Sequence, residues 1–446
     1  MASNFLQKLF APPRHEKRVD LTSPPRDVIP TEAGAILGIA MEIGAEMLKS
    51  GAEVHRVEDT ITRICHAYGA VQVDVFALTS LISAEIRMLD DTYATRTRRV
   101  PRSYNHLSRL ESLNALSREM CATPLTEKQA EERLNEIRES RPIPEWLCYL
   151  ATTIGVGAFA IFFGGGWRDG LAAALVALIL TFIKRKSSVV INEMARTVIS
   201  SFLGGILGVL TVVIGLGVNR DAILIGTIMM EIPGLVFGNA LRDLLCGDTL
   251  AGGMRLVQAL LQALMIALGY MAAILVCGQI WGVLAMRDVI IEIIIRIVAC
   301  TIGALGFSIL FYIKPRKLTY AAIGAALTIG IYLFLQAFAF KKQEFLPNLI
   351  AALVGAIYCE VTARATKTPV PVYLTPALIT LAPGRLLYFT MSHLVNGNYS
   401  VGGSFALATV QAALGICGGI IGASVVGIFL RLIVSRMRRN RTETKS

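Results

Sequence analysis

Apolar positions follow two different rhythms along this chain. Over residues 31–145 they recur at helix or strand periods among charged residues. From about residue 146 they merge into runs of roughly twenty, the length that crosses a bilayer as a helix. The first region predicts a helix from Thr31, as its cap, to Lys49, amphipathic and stopped at Ser50-Gly51, and a second from Glu53 to Tyr68, ended by Gly69. Val71–Phe76 and Leu81–Met88 alternate with period two and predict strands, with a third over Arg96–Val100. Leu107–Cys121 and Glu127–Arg138 predict polar helices, completing an α+β domain. The second region predicts ten spans, near 146–164, 169–183, 194–216, 221–241, 254–279, 289–312, 318–340, 346–364, 370–391 and 401–432. The fold class expected is therefore a polytopic α-helical membrane protein with an N-terminal α+β domain. Its expected parts are a disordered tail (1–30), the α+β domain (31–145), two membrane halves (146–283 and 284–434) and a basic tail (435–446).

One sparse pattern occurs twice within the apolar part. Pro233-Gly234, Gly247-Asp248 and Gly252-Gly253 return as Pro383-Gly384, Gly397-Asn398 and Gly402-Gly403, every glycine and proline 150 positions on. Interrupted spans at corresponding positions of two halves point to a transporter's binding site. Ten spans divide as five plus five, and an odd number per half makes the second half enter from the opposite side. The expected architecture is thus an inverted-topology repeat.

Composition agrees with a bilayer location: 54% of residues are hydrophobic, only 17% are charged, and the mean hydropathy is +0.59. The net charge of +11 reads as membrane-side bias rather than as a nucleic-acid footprint. Lys184-Arg185-Lys186, Lys314 to Lys317, Arg364 with Lys367, and Arg436 to Arg441 follow even-numbered spans, with Lys341-Lys342 the exception. This bias places both termini and the α+β domain on the cytoplasmic side of a bacterial plasma membrane. The first thirty residues have no apolar core and do not read as a cleaved signal. Eight cysteines without paired spacing read as small core residues, and no CxxC or histidine-rich tract marks a metal. His55 and His66 lie eleven apart near one helix face, but no third ligand falls at a recognised spacing, so a solvated face is expected. Phosphate loops, nucleophile elbows and dinucleotide fingerprints are missing, which argues against an ATP-driven pump and against an enzyme; no cofactor is expected.

Candidate chemistry gathers at the two breaks. Pro233 removes a backbone donor and Gly234 lets the chain open, so the two half-helices present free amide and carbonyl ends to a small charged solute. Glu231, two residues earlier, sits in an apolar span, where a carboxylate costs about 2.5–3.5 kcal/mol on insertion scales and so has a task or a partner. Burial disfavours its charged form, making it a candidate proton carrier. Asn239, Arg242, Asp243 and Asp248 follow; Arg242 either forks onto a substrate carboxylate or, with Asp243 and Asp248, caps the span at the cytoplasmic surface. In the second copy Arg385 follows Pro383-Gly384 and is a candidate partner for Glu231. Small-xxx-small motifs such as Gly204-xxx-Gly208 and Gly418-xxx-Gly422 serve helix packing, within one chain or between copies in a homo-oligomer.

The run Gly44-Ala-Glu-Met-Leu-Lys-Ser-Gly-Ala-Glu-Val-His-Arg-Val-Glu58, with the strand after it, resembles the N-terminal region of the threonine/serine exporter family. Glu231-Ile-Pro-Gly-Leu, Asn239-Ala-Leu-Arg-Asp243 and Gly247-Asp248 resemble that family's first membrane half, and Thr375-Pro-Ala with Leu381-Ala-Pro-Gly384 its second. The resemblance implies a ten-span inner-membrane carrier that exports threonine and serine using protons. In some members the halves are separate chains associated with export of dicarboxylates such as succinate. That substrate class, and a channel-like pore, stand as alternatives.

Overall fold

The computed structural model describes residues 33–100, 105–140, 143–187, 193–277, 289–340 and 343–443. The expected tail over 1–30, the Thr31 cap, the Lys341-Lys342 loop and the boundary at 283/284 lie outside these residues.

The N-terminal part opens with α1 (Ala33–Lys49) and α2 (Val54–Ala67). An antiparallel sheet follows, ordered β1 (Ala70–Leu78), β2 (Leu81–Met88), β3 (Tyr93–Arg99). Alternation along β1 and β2 turns Val73, Val75, Ile82, Ala84 and Ile86 towards the helices and leaves Gln72, Asp74 and Phe76 outside. Helix α1, predicted to be amphipathic, buries most of its residues. It lies among β2, β3, α2, α3 (Leu107–Ala122) and α4 (Glu127–Glu139), which leave the stripe Ala35, Ile39, Glu42 and Lys49 partly exposed. Helix α4 starts at a capping box: Thr126 Oγ1 accepts from the Gln129 amide at 3.4 Å, and Gln129 Oε1 accepts from the Thr126 amide at 3.0 Å.

The apolar part forms α5 (Glu145–Phe162), α6 (Trp167–Ser187), α7 (Glu193–Val213), α8 (Arg220–Ile228), α9 (Gly234–Cys246) and α10 (Thr249–Cys277). The same succession returns as α11 (Val289–Leu310), α12 (Pro315–Phe338), α13 (Phe345–Ala365), α14 (Pro371–Ile379), α15 (Gly384–Val395) and α16 (Tyr399–Glu443). Among the described residues, α5, α7, α10, α11, α12, α13 and α16 are long and apolar enough to cross a membrane. An eighth span is reached if α14 and α15, bent by 41°, count as one. This is a polytopic helical membrane protein. Of the ten predicted spans, 169–183 and 221–241 fall short by length and composition. Helix α6 carries charge at both ends, and the break divides the other into helices of 9 and 13 residues.

The 150-residue repeat reaches individual hydrogen bonds. Gly234 N donates to Ile232 O at 2.9 Å and Gly384 N to Ala382 O at 2.8 Å. Asp248 N donates to Asp243 O and Asn398 N to His393 O, both at 2.9 Å. Gly247 (φ 96°) and Gly397 (φ 75°) both end their helices in the left-handed region, which costs glycine nothing. The two breaks also touch each other. A Cβ on Gly384 would meet Ile232 Cδ1 at 2.9 Å and Met229 Sδ at 3.1 Å.

Candidate functional site

A cavity of about 670 Å³ opens where α8 gives way to α9. Met230–Val236 of the break form one wall. Lys184 and Arg185 of α6, Arg196 and Thr197 of α7, Gln262 of α10, Glu145 and Tyr149 of α5, Phe307 of α11 and Asn105 complete the lining, among others. Glu231 is buried, and its Oε1 takes both the Lys184 ammonium at 2.5 Å and the Ser200 hydroxyl at 2.8 Å. Gln262 Nε2 donates to the Glu231 carbonyl at 3.2 Å, engaging a group that the break at Pro233 frees from helix pairing. The first break therefore carries a polar cluster facing a cavity, which is where broken helices are tolerated at membrane depth.

The second break lines a smaller cavity of about 70 Å³ with Thr380–Pro383 and Arg385, joined by Arg296, Tyr332, Gln336, Glu344 and Asn348. Its carboxylate comes from Glu344, before α13, which accepts from Tyr332 Oη and Gln336 Nε2 at 3.0 Å each. Arg385 faces this second cavity, and its guanidinium lies 6.0 Å from the Phe389 ring centre. The partner the structure gives Glu231 is Lys184, not Arg385.

Asn239, Arg242 and Asp243 do not line either cavity; they hold the turn Ser50–Val54 that joins α1 to α2. Asn239 Nδ2 donates to Gly51 O at 2.8 Å, and Arg242 pairs with Glu53 at 2.5 Å. Asp243 accepts from the Val54 amide at 3.0 Å and pairs with Arg255 at 2.6 Å, while Arg255 also donates to Ala52 O at 2.7 Å. Burial by itself would raise the Glu53 carboxyl, but the Arg242 and then the Arg56 charge outweigh it and hold the group at about 2. A further buried contact lies at His106, whose Nδ1 accepts from the Arg109 amide at 3.1 Å while its ring stacks on Tyr312 at 4.6 Å. Burial, then the neighbouring Arg109 charge, bring this imidazole down to about 4, so it is neutral near pH 7. Apolar packing follows the polar contacts, since one buried cluster runs from Leu48, Val54 and Leu110 into Leu235 and Ala251.

The family described as "Putative threonine/serine exporter" matches residues 38–277, more than half of the chain. The chain belongs to the threonine/serine exporter family. A second family described as "Threonine/Serine exporter, ThrE" matches residues 296–426. The curated threonine/serine exporter of Corynebacterium glutamicum is 22% identical over 434 residues, covering 93% of this chain and 86% of that protein. An uncharacterized protein of Schizosaccharomyces pombe is 26% identical over 179 residues, covering 37% of this chain; the chain spans only 21% of that relative's length. No solved structure matches.

Within this exporter-family chain, the predicted site residues separate into three groups. Glu231, Pro233 and Gly234 line the large cavity, and Pro383 with Arg385 line the small one beside Gly384. Asn239, Arg242 and Asp243 dock the N-terminal part, and Asp248 faces α2. Sequence reading missed Lys184, Ser200, Arg255 and Glu344. Lys184 belongs to the basic triplet that follows the second predicted span, and α6 continues to Ser187 and keeps it on the helix. Arg255, a lone charge in the apolar run after Gly252-Gly253, was a visible signal that went unused.

Proposed function

We propose that this chain is a secondary active exporter of threonine, serine and related small amino acids, driven by the proton-motive force, with its substrate site at the first Pro-Gly break. The observation that carries the reading is the buried Glu231, clasped by Lys184 and Ser200 on the wall of a cavity of about 670 Å³. Cations on that wall suit a substrate carboxylate, and free helix ends suit both of an amino acid's charged groups. A substrate ammonium that takes the charged Glu231 and a proton that neutralises Glu231 exclude one another, so the two occupy the cluster in turn and their fluxes run in opposite directions. The second break, with Pro383, Gly384 and Arg385, packs against the first and serves as the opposing wall of the moving unit.

The proposal takes the +150 correspondence of α5–α10 with α11–α16 as a five-plus-five inverted repeat of ten spans. The N-terminal α+β domain and both termini are assigned to the cytoplasmic face of a bacterial plasma membrane by positive-charge bias. Asn239, Arg242, Asp243 and Asp248 then set the attitude of that domain to the carrier. The test is proton-coupled threonine counterflow in proteoliposomes. Glu231→Gln should abolish pH-driven export while keeping substrate exchange, and unaltered coupling would refute the assignment.

A second reading, dicarboxylate export, draws on the three cations Lys184, Arg185 and Arg196 set against the two carboxylates Glu145 and Glu231 around the cavity. Counterflow of labelled threonine against labelled succinate separates the two.

A further inference from the structure

We propose that His55, Glu58 and Asp248 form a site for a divalent transition-metal cation that clips α2 to the junction of α9 and α10. His55 and Glu58 stand three residues apart near the start of α2, on one helix face. Asp248 comes from the far side of the interface, directly after the left-handed Gly247 that ends α9. One donor atom from each of the three lies within 4.8 Å of the other two. Ligands at metal bonds of about 2.0–2.2 Å stand roughly 3–4 Å apart, so small side-chain rotations close the set.

A second observation points the same way. Asp248 Oδ2 is a buried atom with no hydrogen-bond partner. An orphaned carboxylate oxygen is costly, and here it sits beside a second carboxylate rather than a cation. Glu58 gives Oε1 to the Ala77 amide at 2.8 Å and has its other oxygen to offer. The Asp248 backbone is fixed by its amide bond to Asp243 O at 2.9 Å, and Asp243 in turn holds the Val54 amide at 3.0 Å. Both sides of the site are thus held in place by the docking contacts. His55 is exposed, giving a cation an entry path and leaving coordination positions to water. One imidazole and two carboxylates suit Zn²⁺ or Mn²⁺. Asp248 stands 190 positions after Glu58, too far for any sequence-spacing rule to join it to the pair on α2. His66 belongs elsewhere, with Nδ1 against Ala70 O at 2.7 Å.

The test is titration of Zn²⁺ and Mn²⁺ into chelator-treated full-length protein in detergent, by calorimetry and, for Mn²⁺, electron paramagnetic resonance. One saturable equivalent is expected. His55→Ala and Asp248→Asn should each weaken it at least tenfold, and His66→Ala should leave it unchanged. Zn²⁺ should raise the unfolding temperature of the parent protein and not that of Asp248→Asn, a readout independent of transport. No saturable binding, binding that survives both substitutions, or binding lost equally in His66→Ala overturns the proposal.

Discussion

Lys184 Nζ lies 2.5 Å from Glu231 Oε1, joining a charge near the end of α6 to the carboxylate two residues before Pro233 at the first break. The carboxylate is buried while the ammonium is half-buried, so the pair is neither a surface ion pair nor a sealed one. Removing one partner of a buried pair typically costs about 3–5 kcal/mol, because the other charge is left uncompensated. Lys184→Met should therefore lower the unfolding temperature and reduce threonine counterflow at least tenfold. Lys184→Met combined with Glu231→Gln should recover most of the stability but not pH-driven transport. Thermal unfolding and counterflow on the same four proteins check both halves. Stability that stays low in the double variant would show that the pair is not the source of the loss.

Docking of the N-terminal part depends on Arg242 and Glu53 as a unit. Arg242→Ala leaves Glu53, only 8% exposed, with Arg56 alone at 3.2 Å and should destabilise the fold by about 1–3 kcal/mol. Glu53→Gln with Arg242→Ala should cost less than the two single changes added together, with a coupling of about 1–3 kcal/mol in a double-mutant cycle. Hydrogen exchange should localise the loosening to residues 50–58. Equal exchange in the parent and Arg242→Ala would mean that apolar packing around Leu235 holds the domain alone.

The same carboxylate sets a pH dependence. Glu53 titrates at about 2 in the folded protein against an ordinary value of 4.5, so folding favours its charged form. Its stabilisation is fully present above pH 4.5 and is lost as pH falls towards 2. His106, neutral and depressed to about 4 from 6.5, adds a loss in the same direction beginning at higher pH. Unfolding temperature should thus fall in two stages on acidification. Glu53→Gln should remove the lower stage and keep the upper one; an unchanged profile would sever the link to Glu53.

Much of this fold can be read from local sequence, and the site only partly. Helix α4 announces itself by Thr126 and Gln129, β2 by strict alternation, and the two breaks by Pro-Gly at a constant offset. Each signal lies within a few residues, where backbone chemistry alone decides. What stayed hidden is long-range. Arg242 and Asp243 are polar residues beside a broken span, which fits a substrate site as well as it fits docking. Only the fold brings Glu53 and Val54 against them. The contact of Lys184 with Glu231 is hidden for a different reason, since a basic triplet after an apolar run is the usual mark of a membrane surface. The extent to which α1 is buried is likewise set by five neighbouring elements that its own sequence does not encode.

The repeat makes a prediction that tests both halves at once. Gly252 and Gly402 occupy the same position after the left-handed turn, and each faces a leucine one element back. A Cβ at Gly252 would meet Leu244 Cγ at 2.7 Å and Leu244 N at 2.8 Å, and one at Gly402 would meet Leu394 Cδ2 at 2.9 Å. Their neighbours Gly253 and Gly403 have nothing within 4 Å. Gly252→Ala forces backbone apart and should cost about 1–3 kcal/mol. Gly402→Ala presses first on a flexible side-chain end and should cost less, though in the same direction. Gly253→Ala and Gly403→Ala replace helical glycines and should stabilise by about 0.5–1 kcal/mol. Four unfolding temperatures in detergent check the pattern. If Gly252→Ala and Gly253→Ala behaved alike, or if Gly403→Ala were the damaging member of its pair, the packing behind the repeat would not be the one described.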